Sequence, residues 1–321
     1  MKIMVTGGAG FIGSNVTDGY IEAGHQVLVV DDLSSGKKEN VNPRADFFQI
    51  DIRSDEMAQL IKKELPDIIN HHAAQISVPA SVKDPLLDAD INIKGFLNIL
   101  ESAIKNQTKK IIFISSGGAI YGDASEYPTS EAYPAIPLSP YAISKFVSEY
   151  YLNYYQHQHD LDYTVLRYAN VYGPRQIPHG EAGVVAIFMD NLANEKPSTL
   201  FHFPDNEAGM IRDYCYVGDV VKANLAALNQ GSGDCCNIGT GRETKTLKLY
   251  QVIYNAVKKW NPDLPAELKN MKKDKARPGD IPRSCLISQK AMKVLGWSAE
   301  TSLKKGIDHT LRWYREKSGI V

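Results

Sequence analysis

The sequence predicts a doubly wound α/β protein with a parallel sheet, and three observations carry that expectation. Short β-branched runs recur through the first half, they alternate with helical patterns, and a glycine-rich turn follows the first of them. The runs are KIMVT (2–6), QVLVVD (26–31), DFFQID (46–51), DIINHHA (67–73), KIIFISS (110–116) and YTVLRYA (163–169). Strands covered on both faces read as continuous apolar runs of this kind, and intervening helices pair them in parallel. After NVYGPRQIPHGEAG (170–183) glycine, proline and polar residues cluster and the helical patterns shorten. The chain therefore divides near 173 into a nucleotide-binding domain (1–173) and a smaller mixed α/β substrate domain (174–321), with 214–241 returning to the first sheet.

Composition narrows the function classes. Thirty-six Lys and Arg nearly balance 37 Asp and Glu, so no global field draws the chain to nucleic acid or an anionic membrane. The start, MKIMVTGGAG, is too short and glycine-rich for a signal peptide, and no apolar run approaches a membrane span. A cytoplasmic location is the expectation. Cys215, Cys235, Cys236 and Cys285 show no CxxC or disulfide-framework spacing, and the eight histidines form no HExxH, so no metal is expected.

The turn VTGGAGFIGSNV (5–16) places glycines at 7, 10 and 13 between a strand and a helix. Gly7 suits the tight turn, Gly10 the approach of a pyrophosphate, and Gly13 the close packing of helix on strand, while the helix N-terminus offers free N–H donors. Asp31 ends the second run, where a carboxylate accepts both ribose hydroxyls and repels a 2′-phosphate, which favours NAD over NADP. Asp51 and Ile52, after the third run, suit the adenine; Asp51 equally suits the start of the next helix. In SPYAISKFVSEYY (139–151), Tyr141 and Lys145 fall four apart on one helical face. Lys145 is expected to lower the phenol's pKa and make Tyr141 a proton carrier near neutrality.

These pieces, with HHAAQ (71–75), SSGGAIYG (115–122), PYAISK (140–145), LRYANVYGPRQ (166–176), RDYCYVGD (212–219), NIGTG (237–241) and RPGD (277–280), resemble the extended short-chain dehydrogenase/reductases over nearly the whole length. Within that group they are most similar to the nucleotide-sugar epimerases. The resemblance implies a Rossmann-type fold and a tightly bound, recycled NAD. It implies 4-epimerisation of a UDP-hexose through a transient 4-keto sugar, with UDP-glucose and UDP-galactose as the pair. Tyr141 is then the acid/base, Lys145 its orienting partner, and Ser116 the hydroxyl facing the sugar, with Ser115 the other candidate. Phe11, Ile12, Asp32, Ser35, His72, Ala73, Ala74, Gln75, Asn92, Ser115 and Tyr168 are placed at the cofactor. Asn170, Arg212 and Arg277 are assigned to the diphosphate and Asp280 to the nucleoside ribose.

Dehydrating relatives carry an acidic pair just after the Ser/Thr, whereas this strip is Gly117-Gly118-Ala119. A 4-keto intermediate then has no exit except reduction. Ser284 stands where the family walls off the sugar's C2 substituent, and a small residue there admits N-acetylated sugars. Segments 85–105 and 140–157 carry Ile91, Leu97, Leu100, Ile104, Tyr150, Tyr151 and Tyr154 at helical spacing. Such stripes serve a core, and the resemblance implies a homodimer through a four-helix bundle. The rival readings are a uronate epimerase, a dTDP-sugar reductase or dehydratase of the same fold, and a non-catalytic NAD-binding regulator.

Overall fold

The computed structural model describes residues 1–178, 183–277 and 280–318. Six strands, β1 (Lys2–Thr6), β2 (Gln26–Val30), β3 (Asp46–Phe48), β4 (Ile68–His71), β5 (Lys110–Ser116) and β6 (Asp162–Tyr168), alternate with helices α1 (Phe11–Glu22), α2 (Asp55–Glu64), α3 (Val78–Lys83), α4 (Pro85–Ala89), α5 (Gly95–Lys105) and α6 (Pro140–His159). Then follow β7 (Asn170–Tyr172), α7 (Val184–Ala193), β8 (Thr199–His202), β9 (Ile211–Tyr216), α8 (Val217–Ala227), β10 (Asp234–Ile238), β11 (Glu243–Lys245), α9 (Thr246–Trp260), β12 (Lys272–Lys275), β13 (Arg283–Ser284), α10 (Gln289–Leu295) and α11 (Leu303–Ser318).

The first six strands and β10 form one parallel sheet in the order β10-β6-β5-β4-β1-β2-β3. Alternate residues of each strand enter separate cores, which is why the runs are apolar without a break. Ile3, Val5, Val27, Val29, Ile112 and Ile114 pack with Val16, Tyr20 and Val220 of α1 and α8. Met4, Leu28, Val30, Ile69, Ile111 and Phe113 pack with Met57, Phe96 and Leu152 of α2, α5 and α6. Each fully buried aliphatic or aromatic side chain contributes on the order of 1.5–3 kcal/mol.

The segment 214–241 divides. Its strand β10 pairs with β6 at the sheet edge, and its helix α8 packs on α1, but β9 joins β7, β11 and β13 in a second, small sheet. A third pairing joins β8 to β12. The region 85–105 is not one uninterrupted helix: a wider π-type turn over Asp90–Lys94 separates α4 from α5. Turns of this type gather at functional sites. The stripe residues also separate, since Leu100 is fully buried whereas Tyr150 and Tyr154 are 65% and 51% exposed.

The helix α6 begins as its sequence specifies. Ser139 caps it by accepting from the Ala142 N–H at 3.3 Å, and Pro140 occupies the first turn where no N–H is needed. Its middle is pinned to the sheet by a buried ion pair: Glu149 receives Arg167 Nε of β6 at 2.9 Å, with side chains 10% and 8% exposed. Tyr121 OH receives a further bond from Arg167 and passes one to Asn237 of β10, each 2.8 Å. Removing one member of such a pair leaves a buried charge uncompensated. Arg167→Met should therefore cost about 3–5 kcal/mol in urea unfolding, and the double variant Glu149→Leu/Arg167→Met should recover much of that loss.

Candidate active site

The candidate cofactor residues gather at the carboxyl edge of the large sheet, around the point where strand order reverses between β1 and β4. Open parallel sheets bind ligands at that edge. Gly7 has φ +68°, and a Cβ there would stand 2.6 Å from Ala73 N and 2.8 Å from the His72 carbonyl carbon. Glycine alone fits both demands. A Cβ on Gly13 would enter the Gly7 carbonyl, so close packing of α1 on the turn sets that residue too. α1 starts after Gly10 with no side-chain cap, leaving the N–H groups of its first turn, at Phe11 and Ile12, for a ligand.

Asp31 locks this turn to β2. Its carboxylate accepts from Ala9 N–H and Leu33 N–H, both at 2.9 Å. Burial pushes its pKa up, and the two N–H donors oppose the shift. Next to it Asp32 Oδ1 accepts from Ser34 N–H and hydroxyl at 2.9 and 2.6 Å, and Ser35 is exposed. Asp51 is engaged by Arg53, which lowers its pKa and also bonds Asp90 at 2.8 Å. Ile52 is buried and its carbonyl accepts from Asn98 at 2.8 Å. A helix N-terminus without a cap, a turn no Cβ can enter and a buried acid ending β2 fit a dinucleotide.

β4 leads into the loop His72-Ala73-Ala74-Gln75. His71 is a core residue, bonded to Thr6 Oγ1 at 2.8 Å and stacked on Phe96. His72 Nε2 is buried without a partner among the described residues, and burial, then Lys145, lowers its pKa to about 3. Gln75 and Asn92 hold each other: Asn92 Oδ1 accepts from Gln75 N–H at 2.9 Å and Asn92 Nδ2 donates to Gln75 O at 3.0 Å. Both also donate to Asp88 Oδ1, at 2.9 and 3.0 Å, while Ser144 of α6 donates to Asp88 Oδ2 at 2.7 Å. Asp88 escaped the sequence reading; the available signal was an acid one helical turn before Asn92.

The end of β5 assigns its two hydroxyls to opposite faces, as successive strand residues require. Ser115 donates to Glu149 at 2.7 Å and is buried, so its hydroxyl is engaged with the Glu149–Arg167 ion pair. Ser116 faces the Tyr141 phenol and, by donating toward it, favours the phenolate. A Cβ on Gly117 would press on the end of the Leu286 side chain. Tyr168, expected at the cofactor, is 4% exposed with its hydroxyl receiving Asn224 Nδ2 at 2.7 Å, and it belongs to the core.

One expectation about Tyr141 is reversed in direction. Burial pushes its pKa up to about 12; Ser116 opposes the shift and Asp88 adds to it. Lys145 is itself lowered to about 8 by burial, against the pull of Asp88 and Glu149. Its ammonium donates to the Ile114 carbonyl at 2.9 Å, which fixes α6 on β5, and lies 4.9 Å from the Phe113 ring centre.

The residues expected at the substrate come from three strands and a loop. Asn170 starts β7, and its Nδ2 is buried without a hydrogen-bond acceptor among the described residues. Arg212 lies on β9, paired in register with Ser284 of β13, and burial lowers its pKa while Asp280 and two tyrosines oppose. Arg277 lies over the Phe201 ring at 4.1 Å, and its N–H donates to Asp280 at 2.9 Å. Pro278 and Gly279 of that motif lie outside the described residues. No group of three or more His, Cys, Asp or Glu is placed to hold a metal among the described residues, and no described helix is long and apolar enough to cross a membrane.

A Ser–Tyr–Lys set beside a dinucleotide turn, at the carboxyl edge of a doubly wound sheet, defines a site of the short-chain dehydrogenase/reductase class. The sequence pattern of the NAD dependent epimerase/dehydratase family matches residues 3–239. The UDP-glucose 4-epimerase of Mycolicibacterium smegmatis is 42% identical, with 99% of this chain and 100% of that protein covered. The structure of UDP-glucose 4-epimerase from Thermotoga maritima with UDP-glucose superposes with a TM-score of 0.92 at 45% identity, covering 99% of this chain and 100% of the other. That of the Thermus thermophilus UDP-glucose 4-epimerase with NAD gives 0.90 at 40% identity, covering 100% of both. The chain belongs to the NAD dependent epimerase/dehydratase family.

The geometry of Gly7 makes the cofactor site testable. Gly7→Ala must place a Cβ against the Ala73 backbone at positive φ, a strain of more than about 1 kcal/mol. The Kd for NAD, measured by titrating cofactor-stripped protein, should rise by roughly tenfold, since each 1.4 kcal/mol is a factor of ten in affinity.

Proposed function

We propose that the chain interconverts the C4 epimers of a UDP-hexose, with UDP-glucose and UDP-galactose as the principal pair. The observation that carries this reading is the assembled Ser116, Tyr141 and Lys145 beside a strip, Gly117-Gly118-Ala119, that offers no acid. Bound NAD supplies reversible hydride acceptance and is recycled within the site. Its binding residues are the turn at Gly7, Gly10 and Gly13, Asp31, and the loop carrying Gln75 with Asn92.

Tyr141 takes the C4 hydroxyl proton and returns it, and Ser116 donates toward the same oxygen. Lys145 stands one turn along α6 and keeps a positive charge near the phenol, which a buried phenolate needs. With its pKa pushed up to about 12, Tyr141 in the free protein is almost wholly protonated at neutrality. A cationic ring bound beside it lowers that value. Asn170, Arg212 and Arg277 hold the diphosphate, as the unpartnered Asn170 amide and the buried Arg212 suit; the fork of a guanidinium matches phosphate oxygens. The sugar then turns about its link to the diphosphate and presents its opposite face, so the product differs only at C4.

The small buried Ser284, beside Arg212, leaves space at C2 for an N-acetyl group. N-Acetylhexosamine nucleotides are therefore further substrates. The exposed Ile143, Tyr150 and Tyr154 on α6 support pairing with a second copy through α5 and α6. The four free thiols suit a reducing cytoplasm.

The test is incubation of the purified protein with UDP-galactose, UDP-N-acetylgalactosamine and UDP-glucuronate without added cofactor. The 4-epimers of the first two should form with no net redox change; a 4-keto-6-deoxy product would replace this reading with a dehydratase. Tyr141→Phe should lower kcat by roughly 10²–10⁴ with NAD still bound. Ser284→Tyr should abolish turnover of the N-acetylated sugar first, and equal loss on both substrates would remove the role given to Ser284.

A further inference from the structure

Asp88 is a carboxylate 1% exposed whose hydrogen-bond donors are all neutral: Gln75 Nε2 at 2.9 Å, Asn92 Nδ2 at 3.0 Å and Ser144 Oγ at 2.7 Å. A buried negative charge held only by amides and a hydroxyl is expensive. Asparagine would hold the same three groups. Its carbonyl would take the two amides that now share Oδ1, and its amino group would meet the Ser144 oxygen, whose hydroxyl rotates freely. Hydrogen bonding alone therefore does not account for an acid at this position.

The charge has two facing groups. Lys145 and Tyr141, both on α6, feel Asp88 across the α4–α6 contact, and it favours the protonated form of each. The other groups around Lys145 are Glu149 on its own helix, which acts in the same sense, and His71 and His72 of the β4 end, whose pKa values the ammonium lowers. Tyr141 additionally meets the Ser116 hydroxyl from β5. Asp88 is thus the charge that enters from outside the catalytic helix to face both members of the pair.

We propose that Asp88 is a positioning residue of the active site, tying the cofactor-side groups Gln75 and Asn92 to the catalytic helix through Ser144 and supplying the counter-charge that keeps buried Lys145 cationic. The proposal rests on reading Tyr141 and Lys145 as the proton-transfer pair. It assigns two separable jobs to one side chain, and the two oxygens divide them: Oδ1 gathers the cofactor side and Oδ2 the helix.

Asp88→Asn removes the charge and keeps the tie, whereas Ser144→Ala removes the tie and keeps the charge. With tyrosines labelled at Cζ and the Tyr141 resonance assigned through Tyr141→Phe, the NMR titration of Tyr141 in Asp88→Asn should move to lower pH by roughly one unit. The pH optimum of kcat should move the same way, with KM for the UDP-sugar changed less than twofold. Ser144→Ala should leave both titrations in place and increase the NAD lost on gel filtration several-fold. An unchanged Tyr141 titration in folded Asp88→Asn overturns the charge role, and unchanged NAD retention in Ser144→Ala overturns the tie. If Asp88→Asn does not accumulate as folded protein, Asp88→Ser, a second neutral variant, carries the Tyr141 titration test of the charge, and Ser144→Ala decides the tie, because a purely structural acid predicts no selective loss of NAD. A shifted Tyr141 titration with no sugar turnover in any form would leave Asp88's role standing and defeat the epimerase reading instead.

Discussion

The parallel register of the central strands is the constraint on which the site depends. Thr6 of β1 pairs with Val30 of β2 on one side and His71 of β4 on the other, so all three strands end level. Ser116 likewise ends level with Tyr168. The glycine turn, Asp31, the His72–Gln75 loop and Ser116 are therefore delivered to one edge by backbone hydrogen bonds alone. A one-residue slip of β5 would exchange Ser115 and Ser116 between faces. It would also carry Ile114, whose carbonyl receives Lys145, out of place.

Along α6, one helical turn separates structural charge from chemical charge. On the face of Ser115, Glu149 and Arg167 neutralise each other and bind Tyr121, making a closed polar network that holds α6 and β10 to the sheet. One turn earlier on α6, Lys145 has only a carbonyl as its direct acceptor among the described residues and Asp88 as a counter-charge across the helix contact. The first network is satisfied and inert. The second is left open toward the edge where ligands bind, and burial displaces Tyr141 and Lys145 from their ordinary values in directions that oppose ionisation. Displaced titration in a cleft marks a group whose protonation a ligand can control.

The large sheet was legible because each strand carries its own signal, an apolar run covered on two faces, and each prediction needed only local sequence. Tyr141 and Lys145 were legible for a similar reason, since one helix turn fixes their spacing. Three things were not. The small sheet is built from pieces such as Asn170–Tyr172 and Arg283–Ser284, too short for any periodicity and joined from distant parts of the chain. The partner of Tyr168 was hidden because its hydroxyl is taken by Asn224 from α8, 56 positions away. The direction of the Tyr141 shift depends on burial, which spacing to Lys145 does not reveal.

Packing bears on one position of the acid-free strip beside Ser116. A Cβ on Gly118 would meet nothing nearer than Ser116 Oγ at 4.0 Å, whereas one on Gly117 would meet the end of the side chain of Leu286, whose backbone is held fast. Its N–H donates to buried Asp213, and the flanking backbone pairs with Thr129 through Thr129 N to Cys285 O at 2.8 Å and Ile287 N to Thr129 O at 2.9 Å. Asp213 meanwhile binds Thr240 and Gly241, so moving Leu286 would disturb β9 and the loop after β10 together. A side chain at 117 would thus require Leu286 to change rotamer on a backbone held in place. On the proposed reading, the lack of an acid in Gly117-Gly118-Ala119 leaves oxidation and reduction at one carbon as the chemistry this strip can serve, with no carboxylate in it to eliminate water from the next.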